Sequence, residues 1–124
     1  MSNTPNEPFG VVYPKGFKAA GIHCGVKKKK RDLALIYSEA PCTASGTFTR
    51  NLVKAAPVLL SEENIKGTIR GIVANSGNAN ACTGEKGMEN ARRMAAAAAE
   101  AMNIQAEEVL VASTGVIGVQ LPIE

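Results

Sequence analysis

Aromatic side chains are scarce in this sequence, which has no tryptophan, two tyrosines and three phenylalanines among its 124 residues. This shortage excludes the stacking platform on which single-stranded nucleic acids are bound. Long apolar runs are also absent, since none approaches the ~20 residues that span a bilayer. The first eight residues carry neither the basic start nor the apolar stretch of a signal peptide. The sequence therefore predicts a cytoplasmic protein with no membrane contact.

Histidine and cysteine are equally scarce. His23 is the one histidine, and Cys24, Cys42 and Cys82 form no CxxC pair of the kind that binds zinc. Three cysteines are also too few for a disulfide scaffold. Because neighbours on a strand point to opposite faces, His23 and Cys24 cannot form a dyad there without a bend. We expect reduced cysteines with packing or bystander roles, no metal and no cofactor.

The net charge of +3 comes from one segment, the basic run from Lys27 to Arg31. Without those five residues the chain has nine basic and eleven acidic residues, so its body is mildly acidic. The basic run has two interpretations. It is either the solvated tip of a hairpin, which we favour, or a nucleic-acid-binding patch, which the acidic remainder and the missing aromatics disfavour.

A hydrophobic content of 45% excludes disorder and predicts one α/β unit over residues 1–124. Residues 1–16 are predicted to be an irregular arm with a short strand at 11–13. Strands are predicted over residues 17–26, 32–38, 68–74 and 109–112, the first two forming a hairpin around the basic run. The last strand is apolar throughout, which is typical of a sheet covered on both faces.

Two helices are predicted. A short one begins at Ser61 as N-cap and ends at Gly67. A long one follows Thr83, runs through Met102 and ends at Asn103, a residue that tolerates the left-handed conformation. One face of the long helix is apolar at helical spacing, through Met88, Ala91, Ala95, Ala98 and Met102. Its row of alanines predicts a close approach to a sheet or to another helix.

The loop from Asn75 to Gly84, here called the asparagine loop, is rich in asparagine and glycine. Such a loop before a helix can hold an anion, including a nucleotide phosphate, on its backbone N–H groups. It can equally be a structural loop whose asparagines bond to neighbouring backbone groups. We favour the structural interpretation, because the loop has neither GxxxxGK[ST] nor GxGxxG.

A second loop, residues 112–118 (Ala-Ser-Thr-Gly-Val-Ile-Gly), follows the last strand and is called the Ser-Thr-Gly loop. Small residues with a hydroxyl and backbone N–H groups at a strand end can form an oxyanion hole. The loop is not GxSxG, so Ser113 is not predicted to be a nucleophile. No base with a legible partner accompanies it, so the chain shows no complete active site.

Six segments, in this order, carry a resemblance to a known family: residues 16–22, 32–36, 48–51, 55–58, 74–84 and 111–118. They resemble the N-terminal part of the ornithine acetyltransferase family, the bifunctional glutamate N-acetyltransferases of arginine biosynthesis. The resemblance covers nearly the whole chain after about Pro14. The asparagine loop and the Ser-Thr-Gly loop are its most specific parts.

The resemblance implies a self-processing enzyme of the N-terminal-nucleophile type with an α/β sandwich fold. Such a precursor cuts itself between an alanine and a threonine into α and β chains. The new N-terminal threonine takes the acetyl group from N2-acetyl-L-ornithine and passes it to L-glutamate, and some members also accept acetyl-CoA. The family's oxyanion hole corresponds here to Thr114 and Gly115.

The chain departs from the family pattern in one respect, since it contains no Ala-Thr dipeptide. We therefore expect residues 1–124 to be a single partial domain of an α chain, inactive alone and paired with a β chain that carries the nucleophile in an α/β hetero-oligomer. The resemblance implies no role for His23, the three cysteines or the basic run. It leaves open which residues bind substrate and whether acetyl-CoA is used.

Overall fold

The computed structural model describes residues 10–117, 119 and 122. Within them it has four strands and two α-helices: β1 (Phe17–Ile22), β2 (Leu33–Thr43), α1 (Ala56–Asn64), β3 (Thr68–Asn75), α2 (Gly84–Met102) and β4 (Val109–Ser113). Two short 3-10 helices, Gly10–Val12 and Ala106–Glu108, precede β1 and β4. None of the helices in this part of the chain has the length and apolar character needed to cross a membrane.

The four strands form one mixed sheet in the order β1-β2-β3-β4. β1 and β2 are an antiparallel hairpin, β2 and β3 are antiparallel, and β3 and β4 are parallel. The parallel pair is connected through α2, which confirms the α/β class and the strand-loop-helix-strand order predicted from Thr68 onward. The basic run lies in the connection between β1 and β2, as the hairpin prediction required.

α2 packs on one face of the sheet, where the core lies, and α1 packs against α2 and the edge strand β4. Val73 of β3 and Val109 of β4 are almost fully buried against the alanine face of α2. Four alanines on that face are buried, Ala91, Ala95, Ala98 and Ala99, while Met88 and Met102 at the ends of the predicted stripe are partly buried. At the end of α2, Met102 packs on the sheet, since a Cβ on Gly71 would lie 2.6 Å from Met102 Cε. The close approach expected of the alanine row stays a prediction.

On the opposite face of the sheet, no helix of the described residues is packed. Because side chains alternate along a strand, the residues between the buried positions point to this face. Strand register aligns them in two rows across the sheet, Ala19-Ile36-Ile72-Leu110 and Gly21-Ala34-Ala74-Ala112. These eight residues are apolar or glycine, and all are half-buried or exposed. Within the described residues only the helix side of β4 is packed, so the covering of its other face stays a prediction.

Three loops meet at one end of the sheet. β1, β3 and β4 all end there, and β2 begins there. The β1–β2 loop (residues 23–32), the asparagine loop and the Ser-Thr-Gly loop are therefore neighbours, although they lie far apart in the sequence.

Several predicted boundaries are wrong. Residues 11–13 form no strand, since Tyr13 N–H bonds to Gly10 carbonyl in a 3-10 turn. α1 begins at Ala56, with Pro57 in its first turn, where the missing N–H costs nothing. Ser61 is consequently inside α1 and caps nothing. Its buried hydroxyl instead donates to the Val111 carbonyl (2.9 Å) and accepts the Val111 N–H (3.1 Å), which fixes α1 to β4.

The other predicted ends of helices and strands are either confirmed or differ from the structure by a few residues. α2 follows Thr83, and its C-cap Asn103 is left-handed (φ 55°), as predicted. β1 ends at Ile22 and not at Val26, because the backbone of the following loop bonds to Asp32 instead of to a strand. β2 runs on to Thr43, with a bulge between Tyr37 and Cys42. Residues 10–16 contain no strand, and the rest of the predicted arm lies outside the described residues.

Candidate functional site

The asparagine loop and the Ser-Thr-Gly loop continue the pairing of β3 and β4 beyond the ends of the strands. Thr114 N–H donates to Asn75 carbonyl (3.1 Å), Val116 N–H to Gly77 carbonyl (3.3 Å) and Ala79 N–H to Val116 carbonyl (2.8 Å). Three backbone hydrogen bonds therefore hold the two loops together. The two segments that sequence patterns single out belong to one structure.

Gly115 and Gly77 pack tightly against each other where the two loops meet. A Cβ on Gly115 would lie 2.3 Å from Gly77 carbonyl carbon and 2.5 Å from Asn78 nitrogen, which no side chain can do. Both glycines also have positive φ, 129° at Gly115 and 104° at Gly77, a conformation that other residues rarely adopt. Glycine is required at position 115 for two independent reasons.

The donors that remain available in the Ser-Thr-Gly loop are the Thr114 hydroxyl and the Gly115 N–H. The Thr114 N–H is already bonded to Asn75, whereas the structure gives neither of the other two groups a hydrogen-bond partner among the described residues. Both residues are exposed at the end of β4. A hydroxyl and an N–H one residue apart on a fixed backbone form the donor pair expected of an oxyanion hole.

The asparagine side chains point inward. Asn75, Asn78 and Asn80 are 5%, 7% and 2% exposed. Asn75 Nδ2 donates to Asn78 carbonyl (2.8 Å), and Asn80 Nδ2 donates to Gly87 carbonyl in the first turns of α2 (2.8 Å). These bonds support the structural interpretation of the asparagine loop, because the amide groups of Asn75 and Asn80 bond to backbone carbonyls of the loop and of α2.

The hydroxyl of Ser113 is not accessible in this structure. Its Oγ is buried and has no hydrogen-bond partner among the described residues, and the same holds for Oδ1 of Asn75, its register partner on β3. The Cys24 thiol is poorly suited to nucleophilic catalysis. Cys24, Cys42 and Cys82 form no disulfide, and partial burial together with the nearby Asp32 raises the pKa of Cys24. A raised pKa lowers the thiolate fraction.

Asp32 organises the β1–β2 loop. It is 2% exposed, and its carboxylate accepts the N–H groups of Cys24 (2.7 Å) and Lys27 (2.8 Å). Burial tends to raise its pKa, but the hydrogen bonds from Lys27 and Cys24 outweigh it, so the pKa of Asp32 lies well below its ordinary value. His23 Nε2 lies 3.8 Å from the same carboxylate and donates to Lys27 carbonyl.

The rest of the basic run is exposed on this loop, in keeping with the favoured hairpin interpretation. Sequence reasoning missed Asp32 entirely. An aspartate before a strand is too common to attract notice, and its partners are defined only by the folded loop. Among the described residues, no three histidine, cysteine or acidic side chains are grouped to hold a metal ion.

Comparison with known proteins gives one consistent result. The sequence profile of the ArgJ family matches residues 18–124. The arginine biosynthesis bifunctional protein ArgJ of Thermotoga neapolitana is 61% identical over 118 residues, an overlap of 92% of this chain and 30% of that protein. The chain therefore spans less than a third of the length of this curated relative.

Two solved structures share the fold. Arginine biosynthesis bifunctional protein argJ from Bacillus halodurans superposes with a TM-score of 0.87 at 45% identity, over 91% of this chain and 60% of that one. Ornithine acetyltransferase from Mycobacterium tuberculosis, solved in complex with ornithine, gives 0.83 at 46% identity, over 92% and 63%. The α/β fold predicted from the resemblance is confirmed over this segment.

Proposed function

The chain belongs to the ArgJ family, and from this premise we propose that it supplies the oxyanion hole of an acetyltransferase that moves an acetyl group from N2-acetyl-L-ornithine to L-glutamate. The donors are the Thr114 hydroxyl and the Gly115 N–H. Relatives named as arginine biosynthesis proteins and as an ornithine acetyltransferase support this choice of reaction.

One observation carries the proposal: the pairing beyond β3 and β4 occupies the Thr114 N–H, while the Thr114 hydroxyl and the Gly115 N–H, on two exposed residues, have no partner among the described residues. When a nucleophile attacks the acetyl carbonyl carbon, the C=O π electrons move to the oxygen, which becomes an oxyanion. Two fixed donors stabilise that charge without any reorganisation of the loop. Collapse of this intermediate breaks the bond to the ornithine nitrogen, which leaves with a proton.

We place the nucleophile outside this segment, on the N-terminal threonine of a β chain cut from the same precursor, as the resemblance implies. The exposed sheet face described above supports such a partner, because contiguous apolar surface of this kind marks a contact with protein. The segment alone then has no transferase activity. The free cysteines are consistent with a cytoplasmic, reducing location.

The test is acetyl transfer from N2-acetyl-L-ornithine to L-glutamate by the complete polypeptide that carries this segment, comparing Thr114→Ala with Thr114→Ser. We expect Thr114→Ala to lower kcat by ~10²–10³, the usual cost of one oxyanion donor. Thr114→Ser keeps a hydroxyl and is expected to retain most of the activity. Thr47→Ala, at an exposed position, is the control for general effects of substitution. Full activity of Thr114→Ala would exclude the proposed role.

The proposed processing is tested separately, by intact mass and N-terminal sequencing of every polypeptide in the purified protein. A second chain that begins with threonine is the expected result. A single uncut chain with full transferase activity would refute the N-terminal nucleophile. The same preparation, assayed with acetyl-CoA in place of N2-acetyl-L-ornithine, shows whether this member has the second donor.

A further inference from the structure

We propose that Asp32 is a positioning residue for the oxyanion hole, acting through the β1–β2 loop and Gly77 on Gly115. This inference rests on the proposed acetyltransferase function. Asp32 touches no candidate donor itself. Instead, Asp32 makes the first in a series of three contacts, and the last of them is between Gly77 and Gly115.

The first contact is the closure of the β1–β2 loop by the Asp32 carboxylate. One oxygen, Oδ1, accepts Cys24 N–H and the other, Oδ2, accepts Lys27 N–H. The two bonds turn residues 24–27 back toward the sheet, with Gly25 at a φ of 106°. A charged acceptor that is fully buried holds its donors strongly, because water cannot compete for them.

The second contact is between this closed loop and Gly77. A Cβ on Gly77 would lie 2.7 Å from Lys27 Cγ and 3.2 Å from Val26 Cγ1, so the loop rests directly on that glycine. The backbone of Asp32 reaches the same segment, since its carbonyl accepts Ser76 N–H (2.9 Å). Asp32 therefore fixes residues 76–77 both through its own backbone and through the loop that its side chain closes.

The third contact is between Gly77 and Gly115. The Gly77 carbonyl accepts Val116 N–H (3.3 Å), and no atom fits between the two glycines. Gly77 is thus sandwiched between the β1–β2 loop on one side and the Ser-Thr-Gly loop on the other. Release of the β1–β2 loop lets Gly77 move, and the Gly115 N–H moves with it.

Asp32→Asn in the complete polypeptide tests the inference with almost no change in volume. An asparagine has one acceptor oxygen, so either Cys24 N–H or Lys27 N–H would face an NH2 group. We expect kcat for acetyl transfer to fall ~10–10²-fold, the range for a displacement of up to about 1 Å at a reacting group. KM for N2-acetyl-L-ornithine is expected to change less than ~2-fold, because oxyanion contacts form only in the transition state.

Two further variants keep the test informative. Gly25→Ala disturbs the same loop without touching Asp32, since nothing lies within 4 Å of the added Cβ but the φ of 106° is strained. It is expected to lower kcat in the same way. Glu39→Gln removes an exposed carboxylate of β2, paired with Lys18 (3.2 Å) at the opposite end of the sheet, and is expected to leave kcat unchanged.

Amide hydrogen exchange provides a readout that does not depend on activity. In Asp32→Asn the segment 112–117 is expected to exchange ~10-fold faster or more, while α1 keeps its rate, because only the loop contacts open locally. A wild-type protein without transfer refutes the proposed function, and exchange still tests the inference. If the wild type is active, the inference is overturned by either of two results: Asp32→Asn keeps the wild-type kcat, or its amide exchange accelerates as much in α1 as in residues 112–117.

Discussion

Replacement of Gly115 by alanine is the most direct perturbation of the loop pair. The added Cβ would lie 2.3 Å from Gly77 carbonyl carbon, whereas ordinary contact begins at 3.4 Å, so the two loops must separate by about 1 Å. Misplacement by 1 Å near a reacting group can cost ~10² in rate, and loss of an oxyanion donor costs ~10²–10³. We expect kcat of the complete polypeptide to fall by about 10²–10³ on these grounds.

Gly16→Ala is the matched control. Gly16 also has positive φ (87°), but nothing lies within 4 Å of its added Cβ. Both variants therefore carry backbone strain of about 1–3 kcal/mol, and only Gly115→Ala adds a collision with the neighbouring loop. Initial rates give kcat, and thermal unfolding gives stability. If Gly115→Ala keeps wild-type kcat, or if Gly16→Ala loses as much, the steric argument for the site is refuted.

Two further predictions concern stability of the complete polypeptide. Ser61→Ala leaves the buried Val111 N–H without its acceptor and is expected to cost about 1–3 kcal/mol in urea unfolding, so a cost near zero would show that the bond between α1 and β4 is dispensable. The pKa of Asp32 is lowered in the folded state. Ionised Asp32 therefore contributes its full share to the free energy of unfolding above about pH 4, the ordinary aspartate pKa. This stabilisation is lost as pH falls through the folded-state pKa. The difference in urea midpoint between wild type and Asp32→Asn is therefore expected to shrink from pH 7 to pH 3, and a constant difference would contradict that pKa.

The elements that could be predicted from the sequence are those specified by local signals. α2 has an apolar face at helical spacing and a residue at its end that tolerates the left-handed conformation, and both signals lie within the helix itself. The β1–β2 hairpin is also a local pairing. α1 was misplaced because Ser61 has the chemistry of an N-cap but is used in a long-range bond to β4, 50 residues away. The propensity of serine for the N-cap cannot distinguish a capping serine from one that bonds to a distant strand, since a buried tertiary partner overrides local preference.

The candidate site also combines features that the sequence predicts with features that only the fold defines. The hydroxyl and glycine of the Ser-Thr-Gly loop are legible in the sequence, and so is the absence of a base. The sequence does not show which hydrogen-bond donors of this loop are free. That depends on the bond from Thr114 N–H to the carbonyl of Asn75, 39 positions earlier in the chain. The inward direction of Asn75 and Asn80 likewise follows from the register of β3 and the position of α2.

The geometry of the proposed oxyanion donors follows from how β3 and β4 end. A parallel pair directs both carboxyl ends to the same edge, so the loops that follow can continue the pairing for a few residues. Because that pairing takes the N–H groups of Thr114 and Val116, the N–H of Gly115 between them is left pointing elsewhere. Because hydrogen bonds hold the residues on both sides of Gly115, its N–H cannot rotate toward another acceptor in the protein. The site is thus built from the alternation of the strand, and glycine is needed where the second loop leaves no room for a side chain.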